Sequence, residues 1–451
     1  MIKTTNPYNG STIKEYAMHS PVQLTTSIAN AASAFENWKL ESIKSRTKLL
    51  HKVSELLLER KQEYAELMTR EMGKPISQSI AEIEKCAHCC NFYVENAAQF
   101  LADELIVTDA DESFISKDPM GAILAIMPWN FPFWQVIRFA APNLTAGNTI
   151  LLKHASNTTG CALAIEQLFI DAGYPTGCFQ TILTDHESIE NCIADKRIKG
   201  VTLTGSGKAG KAVAELAGKH LKKSVMELGG NNACIVWEDA DLEKYMETIV
   251  KARMQNTGQS CIAAKRFVVV DVIYDNFVAA FKEHIQLLKS GNPMEPHIEI
   301  GVMAREDLVV TLEEQIGTSV NKGAKVTHGN LRDGNYFEPT VLEEVVPGMP
   351  AFDDELFGPV AAIVRAKDRA DSISIAANST FGLGTMLFTE DIDAARKMVG
   401  AIPDGAFFIN EMVKSDPRLP FGGTKNSGYG RELSKEGMLE FVNKKTVYIR
   451  K

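Results

Sequence analysis

Three short stretches carry side chains suited to covalent chemistry. Gln255 to Arg266 reads QNTGQSCIAAKR and sets one thiol, Cys261, among small and polar residues. A lone cysteine is most often a small buried hydrophobe. The polar collar here argues instead for a reactive thiol, which needs access and positive or hydrogen-bond-donating surroundings. Gly258 marks a turn or a close backbone approach just before it. Met226 to Asn231 reads MELGGN and places Glu227 at the end of an apolar run. A carboxylate there is costly unless paired or used, the alternative being an exposed strand-terminal acid. Met127 to Pro132 reads MPWNFP, where two prolines and two aromatics present Asn130 rigidly. An amide so held can donate to a developing oxyanion.

The elements that must position these residues alternate. Strands are expected at 122–126, 149–153, 179–183, 200–204 and 224–227, with helices at 133–146, 157–172 and 206–217 between them. Such alternation predicts a parallel sheet covered by helices. Ligands bind such sheets where strands run into polar loops at their carboxyl ends. A second α/β pattern follows, with strands at 233–236, 266–270, 361–364, 384–388 and 406–409. Before both patterns, 1–20 read as short strands around Asn9-Gly10, 22–70 as helical, and 77–101 as a further helix. Residues 105–117 read as extended.

A chain of 451 residues has room for more than one domain. Its formal charge of −9 speaks against a nucleic-acid partner, because no basic excess exists to neutralise phosphates. The start lacks a signal-peptide core and no long apolar run could cross a membrane. The eight cysteines show no disulfide framework, which fits a reducing cytoplasm. Cys86 and Cys89 form a CxxC, but no second pair follows, so a buried helix face is expected rather than a metal or redox site. No metal is expected at any histidine.

The three stretches, in order, resemble the aldehyde dehydrogenase superfamily. The matching signatures are PWNFP at Pro128–Pro132, ELGGN at Glu227–Asn231, GQSC at Gly258–Cys261, LFGPV at Leu356–Val360 and PFGG at Pro420–Gly423. LLKHASN (Leu151–Asn157) and VKSDPRLPFGG (Val413–Gly423) carry a narrower resemblance to bacterial succinate-semialdehyde dehydrogenases. The resemblance implies an α/β fold in three parts. These are a Rossmann-type cofactor domain (1–101 and 119–228), a catalytic domain (229–432) and a β oligomerisation arm (102–118 and 433–451) that builds a homodimer or homotetramer. It implies that Cys261 attacks an aldehyde to give a thiohemiacetal and then a thioester. Asn130 and the Cys261 N–H would hold the oxyanion, and Glu227 would activate the hydrolytic water.

Cofactor contacts carried over from the resemblance are Trp129, Lys153, Ser156, Gly205, Ser206, Gly210, Glu355 and Phe357. Gly205 to Gly210 also fits GxGxxG, and Glu227 lies about twenty residues past it, where an ordinary dinucleotide fold keeps its ribose-binding acid. The resemblance assigns Glu227 to the general base instead. Arg138 and Ser415 stand where succinate-semialdehyde dehydrogenases bind the substrate's distal carboxylate. Residue 156 is Ser where NAD-preferring relatives carry a Glu, so NADP is expected to serve at least as well as NAD. The expected substrate is a small aldehyde bearing a carboxylate, first succinate semialdehyde. The alternatives are glutarate semialdehyde, a simple aliphatic aldehyde, or a Cys-dependent thioesterase chemistry.

Overall fold

The computed structural model describes all 451 residues. Two mainly parallel sheets, joined end to end, organise it. The first has six strands in the order Gly428–Tyr429, Lys223–Glu227, Ile198–Thr204, Ala122–Met127, Thr149–His154 and Phe179–Thr181. All pair in parallel except Gly428–Tyr429, which runs antiparallel along Lys223–Glu227. Counted along the chain, the five parallel strands lie in the order 5-4-1-2-3, the doubly wound arrangement. The order reverses between Ala122–Met127 and Ile198–Thr204. The loops leaving those two strands are PWNFP and the glycine-rich Gly205 turn, so both border the crevice where such sheets bind ligands.

The second sheet has seven strands: Lys325–His328, Thr340–Glu343, Val360–Ala366, Ala264–Val270, Asn232–Val236, Thr385–Phe388 and Phe407–Ile409. Only the edge strand Lys325–His328 is antiparallel. Val, Ile, Ala and Phe dominate its inner strands, which are buried on both faces as helix-covered parallel strands must be. Residues 228–231 link the last parallel strand of the first sheet to Asn232–Val236. The carboxyl edge of one sheet therefore meets the amino edge of the other. The Cys261 loop, Leu356-Phe357 and Gly382–Gly384 all enter the second sheet along that edge. A third, three-stranded sheet pairs Val442–Ile449 with Glu112–Pro119, which in turn pairs with Glu104–Leu105.

Local chemistry explains where the expected elements shift. The helical stretch 22–70 is three helices, Pro21–Trp38, Ile43–Glu59 and Lys61–Met72. Ser20 and Ser42 start the first two by accepting the N–H of Gln23 and Ser45. Gly73, at φ +78°, ends the third. The helix Glu187–Ala194 and the strands Lys325–His328 and Thr340–Glu343 escaped the sequence pattern. They are short, and the edge strand is solvent-facing. Cys86, Cys89 and Cys90 are fully buried on the Ile76–Leu101 helix, and burial pushes the Cys89 thiol up to about 12. No three His, Cys, Asp or Glu side chains converge to hold a metal. No helix is long and apolar enough to cross a membrane.

Candidate active site

Cys261 sits on a loop held in an unfavourable backbone state. Asn256, Thr257 and Gly258 are consecutive left-handed residues, with φ of 56°, 53° and 70°. For β-branched Thr257 this is strained and persists only where the surroundings over-determine it. They do. Asn256 donates from Nδ2 to the carbonyls of Asn130 (2.8 Å) and Gln259 (3.1 Å), and Thr257 Oγ1 accepts the Gly301 N–H at 3.1 Å. Buried Arg253 donates to the carbonyls of Ala264 and Leu356. Gly258 must be glycine for a second reason: a Cβ there would stand 2.2 Å from the Gly358 carbonyl oxygen.

Two buried side chains fix the thiol's own peptide. Asn232 Nδ2 donates to the carbonyls of Cys261 (2.6 Å) and Ala263 (2.9 Å). Lys265 Nζ donates to those of Ser260 (2.8 Å) and Cys261 (3.0 Å), and pairs with Glu355 Oε1 at 3.1 Å. The Cys261 N–H has no partner within the chain and is left as a donor. Of the eight free cysteines only Cys261 is not buried. Its thiol is still pushed up to about 11, because burial outweighs the pull of Arg138 and Lys265. The polar collar read from the sequence is real, but it does not by itself make a thiolate.

Asn130 reaches this loop from the first sheet. Its Nδ2 donates to the Gln259 carbonyl at 3.1 Å, and its Oδ1 accepts from Gln135 Nε2 at 3.0 Å. The Gln259 carbonyl can only accept, so the amide orientation follows, and Nδ2 keeps a second hydrogen free. The helix Trp134–Ala146 that follows has no capping side chain of its own. Buried Glu82, from the neighbouring helix, caps it by accepting the N–H groups of Phe133 and Trp134, both at 2.9 Å, while pairing with buried Lys74.

Glu227 ends the Lys223–Glu227 strand, buried, with neither carboxylate oxygen hydrogen-bonded. Burial comes first and the neighbouring Glu432 charge second in raising its carboxyl well above the ordinary range, while Arg138 and Arg431 oppose this. The two glycines after it admit close neighbours: a Cβ at Gly229 would lie 2.2 Å from Glu355 Oε2, and one at Gly230 would lie 2.8 Å from the Cys261 carbonyl oxygen. Gly422 of the PFGG stretch likewise leaves room for Glu227 Oε1.

The crevice expected for a dinucleotide has parts that fit one. Lys153 is the penultimate residue of the Thr149–His154 strand, buried and without a salt-bridge partner, and Ser156 follows exposed. Gly205 and Ser206 open the Gly207–Lys219 helix, whose Ala209 N–H is accepted by Ser206 Oγ at 3.3 Å. A Cβ at Gly207 would meet nothing within 4 Å, so a phosphate can approach this backbone. Trp129 and Phe357 pack edge to face, with ring centroids 5.8 Å apart, and Glu355 Oε1 also accepts the Gly230 N–H at 3.1 Å. Gly210, expected at the cofactor, also has a packing duty. It is buried, and a Cβ there would stand 2.4 Å from Leu228, so it serves helix-to-strand packing. His154, which sequence reasoning passed over, ties the two loops together. Its Nε2 lies 3.0 Å from the Pro132 carbonyl, and its Nδ1 accepts from the Ala155 N–H and faces the Thr158 hydroxyl. Burial pushes its ring down to about 4, so it is neutral.

Cys261 opens on a cavity of about 380 Å³ whose walls include Trp134, Arg138, Ser415, Phe421 and Lys85. Arg138, expected to bind the distal carboxylate, is already engaged within the chain. Its guanidinium pairs with buried Glu432, donates to Thr204 Oγ1 at 3.3 Å and lies over the Phe421 ring. Only part of it is left to the cavity. Lys85, Asn232 and Glu432 gave no signal in the sequence, because their partners lie far along the chain.

The sequence as a whole matches known proteins in the same terms. The model of the Aldehyde dehydrogenase family matches residues 1–447. The probable succinate-semialdehyde dehydrogenase [NADP(+)] of Synechocystis sp. is 46% identical, with 99% of each chain covered. The succinate semialdehyde dehydrogenase [NAD(P)+] of Escherichia coli K12 is 43% identical over 98% of this chain and 96% of that one. The crystal structure of succinic semialdehyde dehydrogenase from Streptococcus pyogenes in complex with NADP+ superposes with a TM-score of 0.98, at 34% identity and with full coverage of both chains. The match runs over nearly the whole length, and this chain belongs to the aldehyde dehydrogenase family.

Proposed function

We propose that this protein oxidises succinate semialdehyde to succinate and takes NADP at least as readily as NAD. The observation that carries the reading is the cavity shared by Cys261, Arg138 and Ser415, which joins a thiol to groups that suit a carboxylate. The names of its relatives point the same way.

Cys261 Sγ, once deprotonated, attacks the aldehyde carbon and forms the thiohemiacetal. The oxyanion is met by the unpartnered Cys261 N–H and the second Asn130 amide hydrogen; one such donor is worth about 100- to 1000-fold in rate. A bound nicotinamide dinucleotide supplies the hydride acceptor. Glu355, with one oxygen fixed by Gly230 and Lys265, would offer the other to a ribose of that cofactor, and Trp129 and Phe357 would wall its ring. Lys153 and Ser156 would receive the adenosine end, where Ser156 brings no negative charge against a 2′-phosphate. The thioester left on Cys261 is hydrolysed by water that Glu227 deprotonates. The burial and the Glu432 charge that raise Glu227 also make its carboxylate a stronger base once ionised.

The exposed apolar residues Leu105, Tyr448 and Ile449 on the three-stranded sheet, with Val107 in the loop beside it, support assembly into a homodimer or homotetramer through that sheet. Eight unpaired cysteines support a reducing cytoplasm. The test is absorbance of reduced cofactor with succinate semialdehyde, butanal and benzaldehyde, each with NAD and NADP. Succinate semialdehyde should give the highest kcat/KM, Cys261→Ala should abolish turnover, and Glu227→Gln should release one burst of reduced cofactor and then stall. Equal kcat/KM for butanal would remove the substrate assignment, and turnover by Cys261→Ala would remove the mechanism.

A further inference from the structure

The charge balance of the Cys261 cavity singles out one side chain. Its charged lining is Glu82, Lys85, Arg138, Lys251, Glu411 and Lys414. Glu82 is bound by Lys74 and by two backbone N–H groups, and Arg138 by Glu432. Glu411 and Lys414 pair with each other at 2.7 Å, and Lys251 is exposed to solvent. Lys85 alone is withdrawn from water without a carboxylate at salt-bridge distance. Its Nζ lies 4.1 Å from the centre of the Trp134 ring and donates to Ser415 Oγ at 2.8 Å. Trp134 Nε1 donates to the same oxygen at 3.0 Å. A hydroxyl has two lone pairs and one hydrogen. Both lone pairs of Ser415 are taken, so its hydrogen is committed to donating.

We propose that Lys85 is the specificity-determining cation of this cavity, gripping the distal carboxylate of an ω-carboxy aldehyde together with the Ser415 hydroxyl that it orients. This rests on the aldehyde-oxidation reading and moves the main charge from Arg138 to Lys85. A half-buried ammonium without a counter-ion is costly, and a carboxylate ligand gives it the partner the fold withholds. Burial and the nearby Arg138 push the Lys85 ammonium down to about 8, as expected of a cation kept without its counter-ion. The groups facing it are Arg138, Glu82, Cys86 and Cys89, and both thiols are raised by burial, Cys89 to about 12, away from neutral pH.

The experiment measures KM for succinate semialdehyde and for butanal, and inhibition of butanal oxidation by succinate, in wild type, Lys85→Met and Lys85→Gln, with thermal melting as the folding control. Loss of a charged hydrogen bond should raise the KM ratio of succinate semialdehyde to butanal at least tenfold, and weaken succinate inhibition to match, with kcat falling much less. The wild-type protein gives a third arm should neither variant fold. Deprotonation of Lys85 should weaken succinate inhibition about tenfold between about pH 7 and pH 9. A wild type that does not favour succinate semialdehyde over butanal overturns the substrate reading. A wild type that does, with the KM ratio unchanged in the variants, overturns the role of Lys85 alone. So does pH-independent succinate inhibition, where that is the arm left.

Discussion

Lys265→Met isolates the electrostatic part of thiol activation. Lys265 is 1% exposed, and its ammonium touches the carbonyl of the residue it is held to activate. Removing it takes away a positive charge beside Cys261 and leaves Glu355 unbalanced, and both changes favour the neutral thiol. A unit charge acting across roughly 6 Å at an effective dielectric of about 20 contributes about 2.8 kcal/mol, or about a hundredfold in thiolate fraction. The thiol already stands near 11, so at about pH 8 the thiolate is a small fraction and the whole loss is felt in rate. A less acidic thiol is intrinsically more nucleophilic, which returns roughly a factor of ten at this size of shift. The expected net effect is ~tenfold slower reaction with a small neutral disulfide reagent. Seven of the eight cysteines are buried, so the reagent reports Cys261. Asn232 still holds the Cys261 carbonyl in the variant, so the loop is retained. A reaction rate within about twofold of wild type, in a protein that melts normally, would refute the reasoning.

Ser156→Glu should raise KM for NADP by about tenfold or more and shift preference to NAD, since a carboxylate then opposes the 2′-phosphate; an unchanged KM for NADP rejects this reading of the loop. Glu432→Gln should destabilise the protein by about 3–5 kcal/mol in chemical denaturation, because Arg138 is left as an unpaired buried charge. The same change removes the like charge that raises Glu227, so the acid limb of kcat should move to lower pH; a limb that stays or rises contradicts the assigned coupling. Gly229→Ala places a methyl 2.2 Å from Glu355 Oε2 and should raise KM for the cofactor more than KM for the aldehyde, which steady-state kinetics on both substrates would check.

Fold class and the central chemistry were legible in the sequence because both are written locally. Strand-to-helix alternation follows from burial on both faces of a parallel sheet, and it placed PWNFP and the glycine-rich turn at strand ends. Cys261, Glu227 and Asn130 stand out because each interrupts a local pattern: a thiol in a polar run, an acid at an apolar strand end, an amide between prolines. The tertiary structure decided what those groups are next to. Gly210 matches a phosphate-loop glycine in sequence, but its missing Cβ makes room for Leu228. Arg138 shows no partner in the sequence and is ion-paired in the fold, because Glu432, far along the chain, is folded against it. Lys85 is an ordinary helix lysine until Trp134 and Ser415 enclose it. Charge is a property of the residue, and its pairing is a property of packing. The sequence determined which reactive groups the protein has, and only the folded structure decided which of their charges are already spent on one another.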